Sequence, residues 1–195
     1  MAKKILVLVG HPYTEGLNIE LANAYAEGAR KAGAEVKRVN LGDLHFDPIL
    51  RKGYKVIQEL EPDLKQLQED IKWCEHFVIF YPSWWSTMPA ILKGMFDRMW
   101  LPGFAYKFKK EGFGAGYLWE KLLKGRTARV FVTSDSPAFM ARLLFGDTTN
   151  EIRQGILGFA GMRTSVHKIG GIKNISENRK KRLVGQARQW GSWGY

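Results

Sequence analysis

The sequence predicts a doubly wound α/β fold. Five parallel strands in order 2-1-3-4-5 carry helices on both faces, giving three α/β/α layers in one domain over residues 1–195. Three observations lead there. Strand-like and helix-like segments alternate along the whole chain. Three strand runs, at 5–9, 77–81 and 130–132, are apolar on consecutive residues, the pattern of strands covered on both faces. With 195 residues, the chain suits one such domain and can bury a core without a disulfide or a metal.

The elements follow in order. Lys3 to Gly10 is the first strand, ended by Gly-His-Pro. Asn18 to Ala32 places Leu21, Ala22, Tyr25, Ala29 and Ala32 at helical spacing and stops at Gly33. Glu35 to Leu41 is the second strand, with Val36 and Val39 among charged residues, and residues 42–48 are an irregular link. Ile57 to Cys74 carries Ile57, Leu60, Leu64, Leu67 and Ile71 on one helical face. Phe77 to Tyr81 is the third strand, stopped by Pro82. Met88 to Trp100 is helical, with Pro89 tolerated in the first turn. Residues 101–116, rich in glycine and aromatics, read as a surface excursion. Ala128 to Thr133 is the fourth strand, and helices over roughly 137–145 and 148–160 follow it. Thr164 to Ile169 completes the sheet, and Ser176 caps a last helix to Trp190. No repeat, low-complexity segment or linker interrupts this order.

Composition narrows the function. Residues 1–97 hold 12 basic and 13 acidic side chains, and residues 98–195 hold 18 and 6, so the whole net charge of +11 arises in the second half. Three readings of that excess stand: a solvated face, an electropositive approach for a phosphorylated small molecule, or a nucleic-acid or membrane surface. Arg179-Lys-Lys-Arg182 falls in a helical segment without interleaved aromatics, which argues against nucleic acid. One cysteine, Cys74, excludes a disulfide framework and suits a reducing cytoplasm; at a helix end beside core residues it reads as buried. The apolar run 5–9 is too short for a secretory leader, and no stretch reaches a membrane span. His11, His45, His76 and His167 have no metal spacing, so no metal is expected, and no Gly-x-Ser-x-Gly elbow is present.

In an open parallel sheet, ligands bind beyond the carboxyl ends of the strands where the strand order reverses. The loops there are 10–18, 82–88 and 133–138, and they are the unusual parts of the sequence. Gly10-His-Pro-Tyr-Thr-Glu-Gly-Leu-Asn18 runs from a strand into a helix N-terminus, where free amides and the dipole favour a phosphate. It is neither a dinucleotide fingerprint nor a P-loop. Gly16 gives the backbone a close approach, and Asn18 either caps the helix or holds the loop. A plain strand-to-helix turn accounts for the spacing equally well. Pro82-Ser-Trp-Trp-Ser86 sets two tryptophans at the mouth of the sheet, which suits a flat ring system. Thr133-Ser-Asp-Ser136 supplies hydroxyls and amides, or else Asp135 or Ser136 is an N-cap before Pro137. Few acid–base groups are at hand, so the chemistry belongs to a cofactor.

These residues carry a resemblance. Gly10-His-Pro with Leu17-Asn18, Asp47-Pro48, Pro82 to Gly94, and Pro102-Gly-Phe-Ala-Tyr106 resemble the flavodoxin-like NAD(P)H:quinone oxidoreductases. That family includes modulators of drug activity and ancillary proteins of potassium-efflux systems. The likeness covers nearly the whole chain and is most specific over 82–106. It implies FMN, with FAD as the alternative. The phosphate would lie against His11, Gly16, Leu17 and Asn18. The ring would lie against Pro82, Ser83, Trp84, Trp85 and Ser86, with its polar edge on Thr133, Ser134, Asp135 and Ser136. It further implies ping-pong hydride transfer from NAD(P)H to a quinone, and a homodimer whose partner completes each pocket. Tyr106 and Phe108 match aromatic positions flanking the substrate. The Tyr and His that support reduced flavin in the family's mammalian quinone reductase match, counting back from Gly146-Asp147, Phe139 and Phe145 here. The missing relay and the basic second half leave an alternative open, a flavin-binding regulatory subunit associated with a membrane potassium-efflux transporter.

Overall fold

The computed structural model describes residues 2–109, 111 and 115–194. Its main sheet holds β1 (Lys4–Val9), β2 (Glu35–Asn40), β3 (His76–Pro82), β6 (Thr127–Thr133) and β7 (Arg163–Ile169). All pairings are parallel, in the order β2-β1-β3-β6-β7. This is the expected five-strand order. The numbering shifts because the predicted excursion contains an antiparallel hairpin, β4 (Tyr106–Phe108) with β5 (Trp119–Lys121). Residues 110 and 112–114 of that excursion lie outside the described residues.

The continuous apolar runs belong to the three central strands, because both of their faces are covered. Leu6, Leu8, Phe77, Ile79, Tyr81, Val130 and Val132 face α2 (Pro62–Trp73) and α3 (Ala90–Met99). Ile5, Val7, Val9, Val78, Phe80 and Phe131 face α1 (Leu17–Lys31) and α5 (Glu177–Ser192). Phe80 stacks on Phe131 at 4.4 Å, and Tyr25 of α1 meets both rings edge-on. A Cβ at Gly28 would lie 1.9 Å from the Arg188 carbonyl, and one at Gly191 2.0 Å from that of Tyr25. Glycine at both places lets the two helix backbones touch.

Several expected boundaries move, for identifiable reasons. The helix expected from Ile57 starts at Pro62, whose ring is accommodated in a first turn. The segment before it is pinned instead by Arg98, a fully buried side chain of α3. Its guanidinium grips the Glu61 carboxylate at 2.9 and 3.0 Å, donates to the Glu59 carbonyl at 2.7 Å, and also reaches the Asp47 carbonyl. Ile57, expected on the core face, is 88% exposed. Pro89 is the cap residue of α3 rather than part of its first turn. Helix α4 (Ala138–Phe145) forms as expected, and the helix after it is π-wound over Glu151–Gly158. Ser176 caps α5, its Oγ accepting from the Arg179 amide at 3.3 Å. Among the described residues, no helix is long and apolar enough to cross a membrane.

Candidate cofactor cleft at the carboxyl edge of the sheet

From β1 the chain turns towards β2, and from β3 towards β6, so the loops after β1 and β3 part at the edge of the sheet. The loops after β3 and β6 enclose a cleft of about 280 Å³. Residues 82–86 and 133–136 line it, joined by Ala141, Phe145, Thr148 and Ile172. The two loops are fastened together, the Ser83 amide donating to the Thr133 carbonyl at 2.7 Å.

The second loop is a strained two-residue turn. The Trp84 amide donates to the Thr87 carbonyl at 2.9 Å, and the Thr87 amide returns the bond at 3.1 Å. Between them Trp85 and Ser86 have φ of 50° and 65°, both left-handed. That geometry normally takes Asn-Gly, and each L side chain there costs on the order of 1–3 kcal/mol. The turn leaves the Trp85 and Ser86 amides outside the Trp84–Thr87 pair, at the lip of the cleft. The Thr87 hydroxyl donates to the Glu151 carboxylate at 2.8 Å, anchoring the strained turn to the π-wound helix. Trp85 lines the cleft and is otherwise bare to solvent, 100% exposed.

The third loop is built by backbone bonds. Ser134 donates its amide to the Ile169 carbonyl and accepts from the Ile172 amide. Its hydroxyl donates to the Ser136 carbonyl at 2.9 Å. Neither Asp135 nor Ser136 caps α4. Pro137 is the cap residue and no side chain bonds the helix start, so that expectation is corrected. Proline already fixes the entry angle, and the loop is held at Ser134 and Ser136 by the strand β7 side.

The first loop enters α1 through Gly16, φ 108°. The first intrahelical bonds are those of Ile19 and Glu20 to the Gly16 carbonyl, leaving the Leu17 and Asn18 amides ahead of them at the helix start. Asn18 is not the cap. It is buried in the first turn, and its Nδ2 donates to the Thr133 Oγ1 at 2.9 Å. It therefore holds the first loop to the third across the sheet edge. Its Oδ1 is buried without a partner. His11 meets Trp84 edge-on at 5.4 Å, and its Nδ1 accepts from the Tyr13 amide at 2.9 Å.

The structure thus brings together the three expected loops. A flavin fits the donor set. Amides and hydroxyls of the second and third loops suit the carbonyl edge of a ring, the start of α1 suits a phosphate, and the orphaned Asn18 Oδ1 calls for a hydroxyl donor such as a polyol chain offers. Phe145 lines the cleft, while Phe139 is 72% exposed on α4. Tyr106 and Phe108 do not line this cleft. Tyr106 packs edge-on against Phe108 and Phe159, at 5.2 and 5.0 Å, and borders a separate hollow with Trp100 and Ile156. Ala141, Thr148 and Ile172 were not anticipated. They sit on or after later elements, and only the α4 and β7 connections carry them to the edge. Cys74 is buried, and burial pushes its thiol up to about 12, so it is no nucleophile. Among the described residues no group of His, Cys, Asp and Glu is placed to hold a metal.

Comparison with known proteins agrees with the fold. The family described as flavodoxin-like fold matches residues 3–193. An uncharacterized NAD(P)H oxidoreductase of Haemophilus influenzae is 26% identical, over 94% of this chain and 92% of that protein. The ribosyldihydronicotinamide dehydrogenase [quinone] of Pongo abelii is 25% identical, over 93% and 87%. Two further curated relatives are matched over only 56% and 46% of their length. Among solved structures, Smu.1420 from Streptococcus mutans superposes with a TM-score of 0.78 at 28% identity, covering 96% of this chain and 98% of that one.

Proposed function

The chain belongs to the flavodoxin-like family, and from that premise we propose that it is a flavin-dependent NAD(P)H oxidoreductase that reduces quinones or related acceptors. One observation supports the reading: the strained Trp85–Ser86 turn and the third loop line one cleft and are joined through the Ser83 amide, and Asn18 ties the start of α1 to Thr133 of that lining. FMN is the cofactor that these residues suit, with FAD as the alternative. His11, Gly16, Leu17 and Asn18 hold its phosphate end, Pro82 to Ser86 its ring, and Thr133 to Ser136 the polar edge. Bound there, a flavin supplies the two-electron chemistry that no side chain of the cleft offers. The protein groups hold and orient. With phenylalanine at 139 and 145, the Asp135 and Ser136 amides of the third loop are the groups left to face negative charge at the ring edge.

The cleft is small for a ring and a co-substrate together, and its outer side is open at Trp85. A second copy of the chain closes it in this reading, bringing Tyr106 and Phe108 on its β4–β5 hairpin. Helix α4 supports dimerisation: Phe139, Met140, Leu143, Leu144 and Phe145 all stand exposed on it, and none of its residues is buried. The lone, buried cysteine suits a reducing compartment such as the cytoplasm.

The test is direct. Purified protein supplied with FMN should be yellow and should oxidise NADPH when given menadione. A protein that stays colourless with both FMN and FAD overturns the reading.

A further inference from the structure

The opposite end of the sheet carries a second polar hollow, unrelated to the loops above. It opens at the amino ends of β3, β6 and β7, and its lining includes His76, Thr127, Arg129, Arg163, Thr164 and Ser165. Thr127 begins β6 and Thr133 ends it, six steps of roughly 3.3 Å, so the two sites are about 20 Å apart.

Register explains the charge pattern. Thr127 pairs with Arg163 and Arg129 with Ser165, so alternation puts both arginines on the same face of adjacent strands, as diagonal neighbours. Among the described residues, neither guanidinium forms a hydrogen bond or an ion pair. Arg129 is half-buried, and its Nε and Nη1 are covered and have no partner. Arg129 also lines the hollow. No carboxylate lines it. The neighbouring acid, Glu75, accepts from the Lys4 amide at 3.0 Å. His76 adds no negative charge: it is buried and joined to Thr127 Oγ1 at 2.8 Å and to the Tyr25 hydroxyl at 3.2 Å. Arg129, half-buried, and Arg163 thus bring two positive charges to the lining of one hollow fringed by hydroxyls. An unpaired buried charge is costly, and proteins normally answer it with an opposite one.

We propose that this amino-edge hollow is an anion site for a phosphate-class oxyanion, held between Arg129 and Arg163 with Ser165 as a hydroxyl donor. Arginine's planar fork matches phosphate oxygens. The ligand is either free phosphate or the phosphate of a small monoester, and the site stands apart from the cofactor cleft.

Calorimetric titration of inorganic phosphate and of glycerol 3-phosphate into the FMN-saturated chain tests this, at constant ionic strength with chloride as the reference anion. Saturable binding is expected for one or both, weakened at least tenfold by Arg163→Gln and by Arg129→Met, with FMN affinity unchanged. Binding of phosphate alone identifies the free ion; binding of the ester identifies a phosphomonoester. Heats no larger than those of chloride, or binding that survives Arg163→Gln, overturn the proposal. Arg163 is exposed, so that variant folds and carries the test even where Arg129→Met does not. A chain that takes no FMN defeats the cofactor reading, yet the same titration on the unloaded chain still reads the dependence on Arg163.

Discussion

At the residue scale, the cleft is held by a few polar contacts in unusual conformations. Ser86 occupies the left-handed region at φ 65° without being glycine. Replacing it with glycine removes that strain but also loosens the turn. Ser86→Gly should therefore raise stability by roughly 1 kcal/mol in urea unfolding, while weakening FMN binding several-fold in a fluorescence titration. The Asn18–Thr133 bond divides differently. Asn18→Ala removes a donor together with an oxygen that has no partner, so it should cost only about 1 kcal/mol. Thr133→Val leaves the whole Asn18 amide buried and unanswered and should cost about twice that, on the order of 2 kcal/mol. Chemical denaturation of both variants distinguishes the two.

At the element scale, α4 is the anomaly. It is an apolar helix that buries none of its residues; Leu143 is 82% exposed. In a dimer that face has a counterpart. Leu143→Glu should convert a dimeric protein to a monomer in sedimentation velocity, while shifting the unfolding midpoint of the monomer little, as surface substitutions do. An unchanged sedimentation coefficient places the interface elsewhere. The helical period of α4 was readable in the sequence; its exposure was not, because a periodic apolar stripe looks alike whether it meets the core or another chain. The β4–β5 hairpin escaped notice for another reason. Its strands are three residues long, too short to show alternation.

At the scale of the molecule, the electropositive amino edge sets an acid limit. Burial, with Lys3 and Arg129 nearby, lowers His76 from 6.5 to about 3. The unfolded chain binds this proton below pH 6.5 and the folded chain does not, so stability is complete above that pH. It should fall by about 1.4 kcal/mol per pH unit on acidification from pH 6 to pH 4. His76→Gln should flatten that part of the profile in thermal melts. An equally steep profile in the variant assigns the proton elsewhere.

The sheet, its strand order and the three loops at its carboxyl edge were legible in the amino-acid sequence. Those rest on local signals: continuous apolar runs, helical spacing, and Gly or Pro where elements end. It also supplied the residue types of the cleft. Only the tertiary structure decided what these residues touch. Asn18 turned from a cap into a tie to Thr133, 115 positions away. Arg98 fixed where α2 begins by gripping Glu61. Tyr106 fell outside the cleft. Arg129 and Arg163 became neighbours through strand register. Each is a contact between residues far apart in the chain, and its energy comes from burial and partner geometry, which no local pattern encodes.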